Sequence, residues 1–396
     1  YRESSITWRY WWVRTENVGL LWNRQPTFLI SQMIYIVAGI ITLLHAFKKG
    51  GRWPYFWLAT VLHGLYADNF WHFVLPEYDN FWHSQTPIIF LGGRLPLHII
   101  LLYPAFIYQA AYAVSRLDLP KYAQPFAVGL LTVLIDIPYD IVAVKFVHWT
   151  WHDTDPNIFD RHYWVPWNSY YFHASFAASL YYFFTLDVSL VSWISAKVLV
   201  ELQSLIIATV MGMPGGVMLF IPVYHILHDA FEIHSEVTFF LLFAIFAAFV
   251  VHGILCLFYR LTTIDYALIL QLAVHYIIYW IFVVFFDPTK EISVGLHEPV
   301  GPCNEVASLT TPFGQTLYKR KYFCPDDYDE GYFDFHCTTK PPNGAIWYTI
   351  CGTPFHNRAE YIAILTAILI VAAGTFRGIY FANPIPKPVC RKLKYK

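Results

Sequence analysis

Two carboxylates stand four residues apart around a proline in Asp136-Ile-Pro-Tyr-Asp140, within an apolar stretch that ends in Trp149-Thr-Trp-His-Asp153. Residues four apart on a helix lie about 40° apart, so both carboxylates share one face. Pro138 lacks an N–H and leaves the carbonyl of Leu134 without its helical partner. Neighbouring carboxylates in low dielectric do not both ionise cheaply, so one of the two is expected to hold a proton at neutral pH, as a general acid or proton carrier. The plain alternative is a pairing with Arg94 or Arg377 that fixes helix packing.

Further polar groups cluster around this pair in sequence. Lys145 lies about 140° from Asp140 on the wheel, a poor partner within one helix, and is expected to face another helix or snorkel outward. His148 and His152, again four apart, are expected to reach one ligand from the outer surface. His63, Asp68 and His72, then His83, His162, His173, and then His225, His228, Asp229 and His234 recur at the same ends of their segments. The spacings His148-x-x-x-His152 and His225-x-x-His228-Asp229 resemble pieces of the histidine boxes of membrane di-iron hydroxylases and desaturases. Those boxes carry a paired His-His and face the cytoplasm; this chain has no His-His, so no metal is assigned. Asp187 has no evident partner, and Glu201 is expected to pair with Lys197.

The elements that position these groups are membrane spans. Of 396 residues, 57% are hydrophobic and 13% charged, an apolar excess over soluble domains that indicates an integral membrane protein. The formal net charge of -1 excludes a phosphate-binding cationic surface, hence nucleic acid. Aromatic residues make up 19% of the chain, suiting interfacial belts and a pocket for a flat or polyene ligand. A span needs roughly 20 apolar residues. The pattern predicts an all-α fold with nine spans: 27–47, 55–75, 88–115, 125–149, 170–194, 198–225, 237–259, 264–286 and 360–382. Two carry breaks, Gly92-Gly-Arg-Leu-Pro96 and Met211-Gly-Met-Pro-Gly-Gly216, read as kinks or as discontinuities that line a cavity.

Lys48, Lys49, Arg52, Arg116, Lys121, Lys197, Arg260 and the basic tail fall on one side, which the positive-inside rule makes cytoplasmic; the opposite short connections carry Arg161 alone. The chain thus divides into spans 1–286, an outer loop 287–359, and a last span with a cytoplasmic tail 360–396. Cys303, Cys324, Cys337 and Cys351 in the outer loop read as two disulfides on an oxidising face, with three connectivities open. A zinc site would want C-x-x-C spacing, which they lack. Cys256 falls in a span and Cys390 in the tail. Residue 1 is Tyr and no secretory leader follows it, so an upstream segment is expected to have preceded it.

The order Gly92-Gly-Arg-Leu-Pro-Leu97, Asp136-Ile-Pro-Tyr-Asp140, Trp149-Thr-Trp151 and Tyr163-Trp-Val-Pro-Trp-Asn168 resembles the membrane carotenoid hydratase family over about residues 88–185. That resemblance implies proton-assisted addition of water to an isoprenoid double bond inside the membrane, without a redox cofactor. It implies Asp136 and Asp140 as acid and base, Arg94 holding one of them ionised, and Asn168 orienting a water. The chain departs from the family pattern at Ile141, where the pattern has proline, in a glycine missing after the Val-Pro turn, and in the outer loop and extra spans.

The expected site is therefore catalytic at Asp136, Asp140 and Arg94, with ligand contacts from Lys145, His148, Trp149, Trp151, His152, Asp153, Tyr163, Asn168 and His173. It would bind or modify a long apolar lipid, isoprenoid or carotenoid, with no cofactor required beyond a bound lipid or pigment. Membrane lipids are the expected partners, with a protein or second copy met through the outer loop, in a plasma membrane or endomembrane. The rival classes are a proton-coupled transporter or channel and a structural or receptor subunit.

Overall fold

The computed structural model describes residues 11–74, 78–152, 154–186, 197–254 and 264–381. A short helix, Val18–Arg24, leads into the long ones. These are α1 (Pro26–Lys49), α2 (Trp53–Val74), α3 (Leu97–Ser115, with a π turn at Pro104–Tyr108), α4 (Gln124–Lys145), α5 (Trp167–Thr185), α6 (Lys197–His225, running into a π turn to Ala230), α7 (Ser235–Ile254), α8 (Tyr266–Phe285) and α9 (Arg358–Phe381). Seven are long and apolar enough to cross a membrane; α2 and α5 are long but less apolar. Those two carry His63 and Asp68, and Asn168, Ser169 and His173, the polar side chains that lower their hydropathy. Cys256, Asp187, Arg260 and the tail with Cys390 lie outside the described residues, as does the side chain of Lys197.

The fold is helical with small sheets at one end, where an all-α chain was expected. The strands are β1 (Val13–Thr15), β2 (Phe81–His83), β3 (Ile88–Phe90), β4 (Leu95–Pro96), β5 (Trp149–Trp151), β6 (Arg161–His162), β7 (Val165–Pro166), β8 (Ile292–Leu296), β9 (Val306–Thr310), β10 (Thr316–Arg320), β11 (Phe333–Asp334) and β12 (Trp347–Gly352). They pair as β1-β3-β4, β2-β5, β6-β7, β11-β12-β8 and the hairpin β9-β10. Short β-branched and aromatic runs between spans suit such ribbons better than helix. The expected span 88–115 therefore begins as strand and turn, with Gly92 and Gly93 at positive φ, and turns helical only at Leu97. The expected span 125–149 ends at Lys145, because Val147 takes φ 49° and the chain enters β5. At the other predicted break no discontinuity forms: α6 is continuous helix through Met211–Gly216, with Pro214 inside it.

These glycines serve packing instead. α6 lies along α5, and a Cβ at Gly216 would meet the ring and backbone of Phe176. On the other side of α5, a Cβ at Gly129 of α4 would run into the carbonyl oxygen of Ala174. Small residues at crossing points let apolar helices approach closely, and α5 is held between two such contacts.

The strands interlock into a cap at one end of the helices. Tyr332 Oη donates to Trp151 O (2.7 Å) and accepts from Trp151 N (2.9 Å), while Gln85 N donates to Val294 O (2.7 Å). The cysteines pair as Cys303–Cys324 and Cys337–Cys351, cross-linking the cap around its buried Phe323, Tyr332, Phe333 and Ile350. At the opposite end Asp265 gathers Tyr112, Lys49 (3.3 Å), Arg116 (3.5 Å) and His45 (3.5 Å). Glu201 faces Arg52 at 3.7 Å.

Where the cap meets α1, Glu291 is buried and accepts from Thr27 N at 3.4 Å. Burial pushes its carboxyl up to about 8. The unfolded chain releases this proton near pH 4.5 and the folded chain near 8. Stability therefore falls as pH rises across that window. Thermal melts in detergent across this range should show that decline in the wild type and a flatter profile in Glu291→Gln. Gly129→Val should cost about 1–3 kcal/mol by overpacking, read as a lowered melting temperature, because the obstacle is backbone and cannot rotate away.

Candidate functional site: a carboxylate pair at the wall of a buried cavity

Asp136 and Asp140 are fully buried on one face of α4. Pro138 frees the carbonyl of Leu134, and α8 takes up the exposed acceptors: Tyr276 Oη donates to Leu134 O (2.8 Å) and His275 Nε2 to Ile135 O (2.7 Å). The proline turn is thus fixed from behind, as a freed backbone group within a membrane must be. In front, α5 supplies two groups one turn apart. Ser169 Oγ donates to Asp140 Oδ2 at 2.7 Å, and His173 Nε2 lies 3.3 Å from Asp136 Oδ1 without completing a hydrogen bond. Apart from a hydrogen bond between the two carboxyls when one is protonated, both oxygens of Asp136 and Oδ1 of Asp140 receive no donor. Among the described residues no Lys or Arg lies within ion-pair distance of either aspartate.

Asp140 and His173 open onto a cavity of about 510 Å³. Its walls come from α2, α3, α5 and α6 and are largely aromatic and aliphatic, with Phe172, Phe176, Phe220 and Ile99 among them. Besides Asp140 and His173, polar groups reach it from several elements: His63 and Asp68, which accepts from Tyr103 Oη at 3.4 Å, from α2, Asn168 and Ser169 from α5, His225 from α6, and Asn80, His83, Asp155 and Asn157 from the cap. His63 is buried with both ring nitrogens unpartnered. Trp149 and Trp151 close the outer end, and Leu309, Thr311 and Leu317 of the β9–β10 segment roof it. That hairpin is tied down by Tyr78 Oη donating to Thr310 O (2.8 Å) and Gln315 Nε2 donating to Asp229 O (3.1 Å). At the rim, Asp229 accepts from His225 (2.6 Å) and His228 (2.8 Å), and Asp160 lies near His228 (3.6 Å) and His234 (3.1 Å).

The structure brings Asp140, Trp149, Trp151, Asn168 and His173 together at the cavity, with Asp136 directly behind Asp140 and His173. It removes five others. Arg94 was expected to hold an aspartate of the pair ionised; its guanidinium instead bonds Asp79 and the carbonyl of Phe81 and lies over the Phe81 ring. The reason is local: β3, the glycine turn and β4 replace the expected helix, so residue 94 belongs to the cap. Lys145 donates to Thr353 Oγ1 and Pro354 O, both at 3.0 Å, and clamps the end of α4 to the cap. His148 pairs with Thr27 Oγ1 (2.9 Å) and stacks on Phe28, whereas His152 faces Glu330 (3.3 Å) and Phe323. The two histidines therefore diverge, because the helix that would have aligned them has ended. Tyr163 donates to Glu360 Oε1 (2.8 Å) at the start of α9. Asp153 lies outside the described residues. Of the cap histidines, burial holds His148, His297 and His83 well below the usual imidazole range; His148 and His297 pack inside the cap, whereas His83 lines the cavity.

His63, Asp68, Tyr103 and Ser169 were not assigned to the site from sequence. Ser169 and His173 are four apart on one helix face, a signal that was available. His63 and Asp68 are five apart and share a cavity only because α2 crosses α5 and α6 at close range.

No curated protein and no solved structure matches the chain. A family model described as a domain of unknown function, DUF7802, matches residues 4–381. The chain, with its carboxylate pair and roofed cavity, belongs to the DUF7802 family.

Proposed function

We propose that this protein takes an elongated, apolar molecule into the cavity and presents the polar or unsaturated end of that guest to the corner formed by Asp140 and His173. The observation that carries the reading is a largely apolar cavity of about 510 Å³ into which a limited set of polar side chains, Asp140 and His173 among them, converges, the usual make-up of a small-molecule site. Isoprenoids and carotenoid-like lipids fit its chemistry, and access from the bilayer or through the cap suits a guest that partitions into membrane. Acid–base addition of water to a double bond is the reaction the corner suits, with Asp140 touching the guest and Asp136 backing it; Arg94 has no part in it. In this reading all nine long helices cross the membrane, the disulfide-bonded cap is extracellular or lumenal, and the C-terminus is cytoplasmic.

The transporter reading loses its main support, since Met211–Gly216 forms no discontinuous helix and Gly92–Pro96 lies in the cap.

Protein purified in mild detergent should carry an apolar molecule detectable by mass spectrometry of an organic extract, at up to one equivalent per chain. Ala177→Phe, which fills the cavity from α5, should lose it while keeping its melting temperature near the wild type. An empty extract from both, with a hydrated cavity and solute flux in proteoliposomes, would overturn the proposal in favour of transport. Once a substrate is known, Asp140→Asn should lower turnover by about 10²–10⁴-fold with the fold intact; retained turnover restricts the protein to binding.

A further inference from the structure

The corner of the cavity has an unbalanced charge account. Asp136 and Asp140 are fully buried and have no Lys or Arg within ion-pair distance among the described residues. A proton shared between the two carboxyls can bond them to each other, but three of their four oxygens receive no donor from any other group. Buried polar atoms are nearly always satisfied, and a native exception points to a missing ion or water. His173 adds a ring nitrogen: one donor atom each from Asp136, Asp140 and His173 all lie within 4.8 Å of one another. A second observation points the same way from a different helix, since His63 faces the same cavity with both nitrogens unpartnered and buried.

We propose that Asp136, Asp140 and His173 form a binding site for a divalent transition-metal cation of the zinc, iron(II) or manganese type. This rests on the reading of the cavity as the working site and names what its polar corner holds. Two carboxylates and one imidazole make a mixed oxygen and nitrogen donor set suited to those ions. Three protein ligands leave at least one coordination position open, the arrangement of catalytic rather than structural sites. Here that position faces the cavity, because Asp140 and His173 line it while Asp136 stands behind them. Ser169, donating to Asp140 Oδ2, fixes that carboxylate so that Oδ1 is the free ligand atom, as outer-shell partners of metal ligands commonly do. The Pro138 turn, held by Tyr276 and His275, sets the spacing of the two carboxylates before any ion arrives. A bound ion would neutralise both aspartates and hold a water against the guest; with the ion present, that water and not a carboxyl proton is the acid–base group. The histidines of the rim, His225, His228 and His234, are already engaged by Asp229 and Asp160 and are not part of the site.

The test uses the full-length protein in detergent or nanodiscs, stripped with chelator and then titrated separately with Zn²⁺, Mn²⁺ and Co²⁺. The expected result is one equivalent bound per chain, a raised melting temperature, and a visible ligand-field absorption with Co²⁺. Asp136→Asn, Asp140→Asn and His173→Gln should each weaken binding at least 10-fold, and Tyr163→Phe, outside the cavity, should not. The Co²⁺ spectrum of the wild type stands even if a variant fails to fold. Absence of a Co²⁺ band together with no thermal shift from any of the three ions would overturn the proposal. The organic extract of the same preparation separates the two readings: a guest without metal overturns the metal site alone, and metal without a guest overturns the apolar-ligand reading alone.

Discussion

Two carboxyl groups enclosed by hydrocarbon and aromatic side chains are the constraint to which the rest of the molecule answers. Desolvating one carboxylate is expensive, and placing a second beside it adds repulsion that no nearby Lys or Arg offsets. Such an arrangement persists only where the surrounding structure fixes it. α4 is accordingly the most enclosed of the apolar helices: α8 bonds the carbonyls that Pro138 disturbs, α5 supplies Ser169 and His173, and Lys145 anchors its end to the cap.

The position of α5 connects this constraint to packing. Gly129 and Gly216 remove side chains where α4 and α6 press on it from opposite sides, so α5 cannot shift without meeting backbone. The hydroxyl of Ser169 and the ring of His173 are thereby held against the aspartates by helix packing, with the Ser169–Asp140 hydrogen bond adding to it. α2 and α5, the two least apolar helices, are also the ones that face the cavity with His63, Asp68, Asn168 and His173. Their polarity follows from lining a chamber, since polar side chains inside a membrane face the bundle interior.

The cap carries the other half of the design. Strands from four separate stretches of chain, two disulfides and the Tyr332 bridge to β5 make a lid whose β9–β10 hairpin reaches the cavity. A purely helical connection could not cover a cavity mouth this way, because helices between spans would need apolar faces of their own. The cap also absorbs most of the charged and histidine residues near the outer helix ends: Arg94, Lys145, His148 and His152 all serve its internal bonding.

Composition and period, which are local, determined much of this protein by themselves. The long helices fall near their expected positions, the four outer cysteines pair in two bridges, and Asp136 and Asp140 share a face because i and i+4 must. Asn168 and the tryptophans of β5 were reached through the order of motifs that resembles a known family, and His173 as a histidine at the opening of its helix. What only the tertiary structure decided were the long-range partners: Asp79 for Arg94, Thr353 for Lys145, Ser169 for Asp140, and the meeting of His63 with His173 across α2 and α5. The glycine-rich stretches show the reason most plainly. Gly92–Gly93 and Gly212–Gly216 look alike as sequence, yet one is a turn at positive φ and the other a helix face, because a missing side chain permits either and the neighbouring elements choose between them.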